Sequence, residues 1–273
     1  MTQQQSKLFV VVDPTAEQHI ALERAIIISS LQPSKPQLYI FVSVDPEATD
    51  TRASNDSLFR NQNWFDEVIK QPLANAGLDY LIEVSWSSEW QESIRQSAKR
   101  FGADVIYLPV QAKVSNRRFT FTESKWELLK GAHCPVVLIR PGAKTQRRVI
   151  LAAVNFQAQR EVQRELNKKI IDQAKHFAGL YGADLHVVNA YLDSMNYPDR
   201  GRLAKETDLP ASNIHVKNGY SSEVISEVAE EINADLVVMG TLGQNGMTTT
   251  RRGNTAERII AALDDDVMVI NHE

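Results

Sequence analysis

Residues 84–139 can be laid over residues 215–270 without a gap, at a constant offset of 131. Identities are few: Glu92 with Glu223, Ile94 with Ile225, Ala98 with Ala229, Ala103-Asp104 with Ala234-Asp235, Val136 with Val267 and Ile139 with Ile270. What carries the match is that every apolar run and every helical period falls on its counterpart across the whole window. A chain of 273 residues with such a repeat reads as a tandem duplication of one unit. Upstream the offset becomes 142, where Val12-Asp13 meets Val154-Asn155. The second copy therefore carries a net deletion, placed at 191–213, where the long helix of the first copy is cut to at most a short one.

Within each copy, apolar runs of four to six residues alternate with helical periods. Strands are predicted at 8–12, 38–42, 80–86, 104–108 and 136–139, and again at 149–154, 185–189, 214–217, 235–239 and 267–270. Helices are predicted at 19–31, 58–76, 89–101 and 124–130, then at 161–181, 222–232 and 255–263, with Gly77 closing the second as a C-cap. Strands that are apolar on both faces and separated by helices indicate parallel βαβ units. A polar stretch opened by Pro141-Gly142 separates the copies, giving domains at 1–140 and 149–273 joined by a linker at 141–148.

The formal net charge of −4 excludes a general polyanion-binding surface, so no nucleic-acid face is expected. A single cysteine, Cys134, excludes an intrachain disulfide and suits a reducing compartment. No apolar h-region opens the chain and no run approaches 18 apolar residues, so no membrane span is expected and the cytoplasm is the predicted location.

Glycine is scarce, 12 residues against the roughly 19 that a usage of about 7% would give. Four of them, Gly240, Gly243, Gly246 and Gly253, nevertheless fall within fourteen positions after the 235–239 strand. Ligands in open α/β sheets bind outside the carboxyl ends of the strands. Gly240 and Gly243 would let the backbone turn and approach a ligand. Gly253-Asn254 would present free N–H groups where a helix begins at Thr255, a natural phosphate site, with Arg251 and Arg252 adding charge. Asn254 to Glu257 is equally a capping box. The spacing is neither a Walker A loop nor the dinucleotide fingerprint.

The pattern G-x2-G-x9-G followed by a small polar residue resembles the nucleotide-binding signature of the universal stress protein family. Gly253 to Glu257, Val11 to Pro14 and Ala153 to Asn155 look most like its E-type tandem members. The resemblance covers nearly the whole chain, once per half. It implies two tandem flavodoxin-like α/β domains, each a five-stranded parallel sheet with helices on both faces. It also implies an internal pseudo-dimer of the two domains, with a homodimer as a further option, and a stress-endurance role without a defined reaction. ATP or a related nucleotide, with Mg2+ accompanying it, is the implied ligand of the second half. Gly240 and Gly243 match the loop around the triphosphate, and Gly253, Asn254 and Thr255 match the phosphate-binding helix start. Asn155 stands where ATP-binding members carry an adenine-side Asp, and Val187 matches a position flanking the base.

The first half departs from that pattern. At the same offset Gly240 becomes Pro109, Gly243 becomes Ala112, Gly253 becomes Thr122 and Asn254 becomes Glu123. Pro109 has no N–H to offer, and two negative charges about 4 Å apart repel by about 4 kcal/mol at an effective dielectric near 20, so Glu123 opposes a phosphate. One nucleotide site, in the second half, is therefore expected. Slow ATP hydrolysis there is an alternative, as is a scaffold that takes a lipid-like, non-nucleotide ligand in the first half. Trp86, Trp90 and Trp126 would either line such a pocket or fill the core, and Arg117 and Arg118 would lie in a surface loop. His186 and His215 fall on neighbouring strands, but no Cys or carboxylate joins them at ligand spacing, so no metal is expected. Cys134 reads as a packed residue, and 264–266 as a solvated acidic turn.

Overall fold

The computed structural model describes residues 5–44, 61–110, 123–242 and 255–272. Five strands come from the first half: β1 (Lys7–Val12), β2 (Gln37–Ser43), β3 (Asp79–Ser85), β4 (Val105–Pro109) and β5 (Val136–Ile139). Five come from the second: β6 (Val149–Ala153), β7 (Asp184–Tyr191), β8 (Ile214–Asn218), β9 (Leu236–Thr241) and β10 (Asp266–Asn271). All ten belong to one sheet, in the order β3-β2-β1-β4-β5-β10-β9-β6-β7-β8. Every pairing within a half is parallel, so each half has the doubly wound order 3-2-1-4-5. The expected α/β fold is present in both copies. What the sequence leaves open is the junction: β5 and β10 pair antiparallel, with Val137 opposite Met268.

That junction follows from the physics of a sheet edge. A half on its own would expose β5 or β10 as a flat, apolar edge strand with unpaired N–H and C=O groups. Val136, Val137, Leu138 and Ile139 have no solvent exposure, because the other half completes their pairing. The apolar layers on the two faces of the sheet both run across the junction, so Phe9 and Val267 belong to one buried cluster and Val10 and Met268 to the other.

The helices of the first half are α1 (Ile20–Leu31), α2 (62–76), α3 (Trp90–Phe101) and α4 (Glu123–Gly131). Those of the second are α5 (Glu161–Tyr181), α6 (Arg200–Thr207), α7 (Ser221–Glu231) and α8 (Thr255–Ala262). Helix α2 opens at Asn61, whose side chain accepts the Trp64 N–H at 3.1 Å. Its middle turn, Phe65–Lys70, is π-helical, and it ends at Gly77 with φ +61°, a left-handed cap that glycine adopts most readily. Of the predicted span 58–76, residues 58–60 lie outside the described residues. In the second half α2 is replaced by the eight-residue α6, which is the deletion that the two offsets require. Asp199 caps it through the Gly201 and Arg202 amides.

Two readings of the sequence need correction. Trp90 and Trp126 are buried core residues, but Trp86 lies beyond the end of β3 and is 60% exposed, so it neither lines a pocket nor fills the core. The acidic turn 264–266 is solvated only in part, because Asp266 opens β10 and is fully buried. Its carboxylate accepts the Arg140 backbone N–H at 2.9 Å, the Arg147 guanidinium at 2.9 Å and the Arg24 Nε at 3.3 Å. Arg24 also reaches the Ala143 carbonyl, and Arg140 that of Ile260. Two buried guanidinium groups, from helix α1 and the connecting segment, and the backbone N–H that follows β5 thus converge on one carboxylate of the second half. Cys134 is buried as expected, and burial pushes its thiol up to about 12.

Candidate functional site

In each half the order reverses between the first and fourth strands, and the following helices leave on opposite faces. After β6, α5 packs against one apolar layer through Leu166, Ile170 and Phe177. After β9, α8 packs against the other through Ala256, Ile259 and Ile260. In open sheets such a divergence leaves a crevice at the carboxyl ends of the two strands, here β6 and β9, and ligands bind there. Residues 243–254 lie outside the described residues. Gly243, Gly253, Asn254, Arg251 and Arg252 fall among them, and so do Arg117 and Arg118 of the first half.

Asn155 stands at the mouth of this crevice with an exposed side chain. Its backbone is fixed from both sides by Asn167 of α5, whose Oδ1 accepts the Asn155 N–H at 3.0 Å and whose Nδ2 donates to the Asn155 carbonyl at 2.7 Å. The next residue is held from β7: Asn189, fully buried, accepts the Phe156 N–H at 2.7 Å and donates to Gln157 Oε1 at 2.9 Å. Gln157 Nε2 in turn donates to the Ala190 carbonyl at 3.0 Å. The loop that carries Asn155 is therefore pinned by two carboxamides that have little other reason to be inside. The guanidinium of Arg202, on α6, sits 5.8 Å from the Phe156 ring.

Gly240, on β9, has ordinary strand geometry and no positive φ. A Cβ built there would meet Leu166 Cγ and Cδ2 at 2.7 Å and Cδ1 at 2.8 Å. Glycine is required at this position because the α5 side chain packs onto the strand, a reason distinct from the tight turn that the sequence suggests. In register Ala152 pairs with Val238, so Asn155 and Gly240 end neighbouring strands. Val187 pairs with Ala152 and Ile214 and has no solvent exposure, which puts it beneath the mouth, in the layer shared with α5. Thr255 is exposed and is the first residue of α8.

The equivalent point of the first half, at the ends of β1 and β4, holds a cavity of about 400 Å³, lined among others by Val11, Thr15, His19, Pro109, Val110 and Pro141. Asp13, nearly buried there, accepts the Thr15 N–H at 2.8 Å and the Thr15 hydroxyl at 2.6 Å. That closed turn engages one oxygen of the carboxylate at the position that aligns with Asn155. The His19 ring meets Trp64 edge-on at 5.5 Å. Among the described residues no group of three or more His, Cys, Asp or Glu side chains is placed to hold a metal ion, and no described helix is long and apolar enough to cross a membrane.

Asn167, Asn189 and Gln157 hold the candidate site's loop and are missed by motif reading. A signal for the first two exists in the sequence. Asn167 interrupts the apolar stripe of α5 between Leu166 and Ile170, and Asn189 ends an apolar strand. A buried polar group in such a run requires partners.

The universal stress protein family model matches residues 6–140 and 198–271 of this chain. A protein of Haemophilus influenzae described as a universal stress protein E homolog is 26% identical, over 96% of this chain and 96% of its own length. A crystal structure of a functionally unknown protein from Pseudomonas aeruginosa PAO1 superposes with a TM-score of 0.81 at 23% identity, covering 98% of this chain and 93% of that one. A universal stress protein from Archaeoglobus fulgidus superposes with a TM-score of 0.74 at 16% identity, covering 99% and 100%. At these identities the two structures share the fold.

Proposed function

The chain belongs to the universal stress protein family, and from that premise we propose that it is a stress-response adaptor whose second half takes ATP or a related nucleotide without turning it over. The observation that carries this reading is the pinned Asn155 beside Gly240 at the switch point of β6 and β9. Asn155 presents a free carboxamide, both donor and acceptor, to a base edge. The phosphates would follow the 240–253 loop toward the N–H groups at the start of α8, with Gly243, Gly253, Asn254 and Thr255 as their cradle and Mg2+ as counterion. Val187 would contribute indirectly, by supporting the strand beneath the base. The cytoplasm is the compartment that supplies such a ligand and keeps Cys134 reduced. Isothermal titration of the full chain with ATP tests the reading. Heat of binding is expected for the wild type and none for Gly243→Val; equal heats, or none from either, overturn it.

A second reading rests on the cavity at β1 and β4. Its lining mixes Val11, Pro109 and Val110 with Thr15, Glu17 and His19, which suits a small amphipathic ligand in the first half. Native mass spectrometry of protein purified from cells separates the two readings by the mass of what co-purifies. Hydrolysis at the nucleotide site would show as phosphate release abolished in a Gly253→Val variant.

A further inference from the structure

Far from both crevices, β7 and β8 bring two imidazoles together at the outer edge of the sheet. His215 pairs in register with Val188, so His186 lies on the same face, diagonally across from it. His186 Nδ1 and His215 Nε2 are 3.0 Å apart, and the rings are stacked at 5.3 Å with 25° between their planes. Both are half-buried, so one side of the pair remains open to solvent. We propose that His186 and His215 form a two-histidine site for a divalent cation of tetragonal preference, of the copper(II) or nickel(II) class, with water completing its coordination.

The separation of the nitrogens favours one class of ion, once each ring turns its lone pair from the other nitrogen onto the metal. Imidazole nitrogens bind these metals at about 2.0–2.1 Å. Two nitrogens 3.0 Å apart then subtend about 94° at the metal. That is close to the 90° of tetragonal copper(II) and nickel(II) sites. Tetrahedral zinc, at about 109°, would want the nitrogens about 3.3 Å apart. A two-point chelate also needs no third protein ligand, which is why the absence of a nearby Cys or carboxylate in the sequence does not exclude it.

The surrounding charge is balanced and does not oppose a cation. Asp184 on β7 acts on His186, and Glu231 on α7 acts on His215. Lys217, two residues along β8, is held by Glu227 at 3.1 Å and Glu231 at 2.6 Å, and Arg200 on α6 donates to the Ile214 carbonyl. Around the pair, Asp184 and Glu231 thus offset Lys217 and Arg200. In the absence of metal the same two nitrogens share one hydrogen bond, so the apo edge stays satisfied.

The test uses Cu2+ alone as the probe, added to the full chain in a buffer with glycine as a weak competing ligand. Pulsed EPR is expected to show two imidazole nitrogens on one copper per chain. His186→Ala and His215→Ala are each expected to weaken binding at least about tenfold, whereas the exposed His176→Ala leaves it unchanged. A wild-type spectrum with one imidazole or none overturns the proposal, as does wild-type affinity in either variant. Should an alanine variant fail to fold by circular dichroism, His186→Gln and His215→Gln keep the bulk and carry the comparison. Zn2+ competing as well as Cu2+ overturns the tetragonal class.

Discussion

Gly240→Ala separates the two reasons a glycine can have at the end of β9. The new Cβ would sit 2.7–2.8 Å from three carbon atoms of Leu166, closer than carbon atoms pack, and they belong to a branched side chain in a filled layer. Overpacking of this kind costs about 1–3 kcal/mol. Against it stands the smaller entropy of the unfolded alanine chain, worth about 0.4–1 kcal/mol where the backbone conformation is compatible, as it is here. The clash wins, and a net loss of about 1–2 kcal/mol is expected, read as a lower urea midpoint at unchanged m-value. For a chain of this size that is a few degrees in Tm, at about 2–4 °C per kcal/mol. Leu166→Ala alone costs about 2–5 kcal/mol, because it empties a buried site. In the double variant the three clashing atoms are gone, so Gly240→Ala should become neutral or slightly stabilising. The double-mutant cycle should therefore show a coupling of about 1–3 kcal/mol. A Gly240→Ala protein as stable as the wild type, or a coupling near zero, would refute the packing argument. It would return Gly240 to the role of a glycine kept for a ligand.

Two further outcomes follow from buried charge. Asp266→Asn removes the carboxylate shared by the Arg24 and Arg147 guanidinium groups, and leaving those buried groups uncompensated is expected to cost about 3–5 kcal/mol in the same urea assay; a loss under about 1 kcal/mol would sink that account. Burial pushes the His186 imidazole down against the opposing field of Asp184, and burial together with His186 pushes His215 down. Both rings should therefore titrate below about 6.5 in NMR of the metal-free protein. Because the unfolded chain then binds more protons just below that value, this part of the stability is complete above about pH 6.5 and is lost as the pH falls through the lower folded-state values. Titration at or above the ordinary value would contradict it.

Much of the fold is legible in the sequence because its signals are local. Apolar runs bounded by helical periods place the strands to within a residue or two, and Gly77 marks its helix end because a left-handed cap is a property of one residue. The π-helical turn at Phe65–Lys70 leaves no comparable mark. At the candidate site, Gly240 is found from the glycine spacing and Asn155 from the family resemblance. Asn167 and Asn189 escape because their importance lies in which backbone groups they meet, 12 and 33 residues away.

By itself, then, the sequence determined two copies of a parallel α/β unit, the deletion that shortened α6, and a second copy that keeps the glycines the first has lost. These follow from periodicity and from backbone rules that act over a few residues. Only the tertiary structure decided that the copies share a single sheet through β5 and β10, that Asp266 is the buried anchor of the Arg24 and Arg147 side chains, and that Gly240 is small to admit Leu166. It also decided that His186 and His215 meet nitrogen to nitrogen. Each of those depends on groups far apart in the chain reaching contact distance, and a spacing along the sequence does not encode the distance at which a fold brings them together.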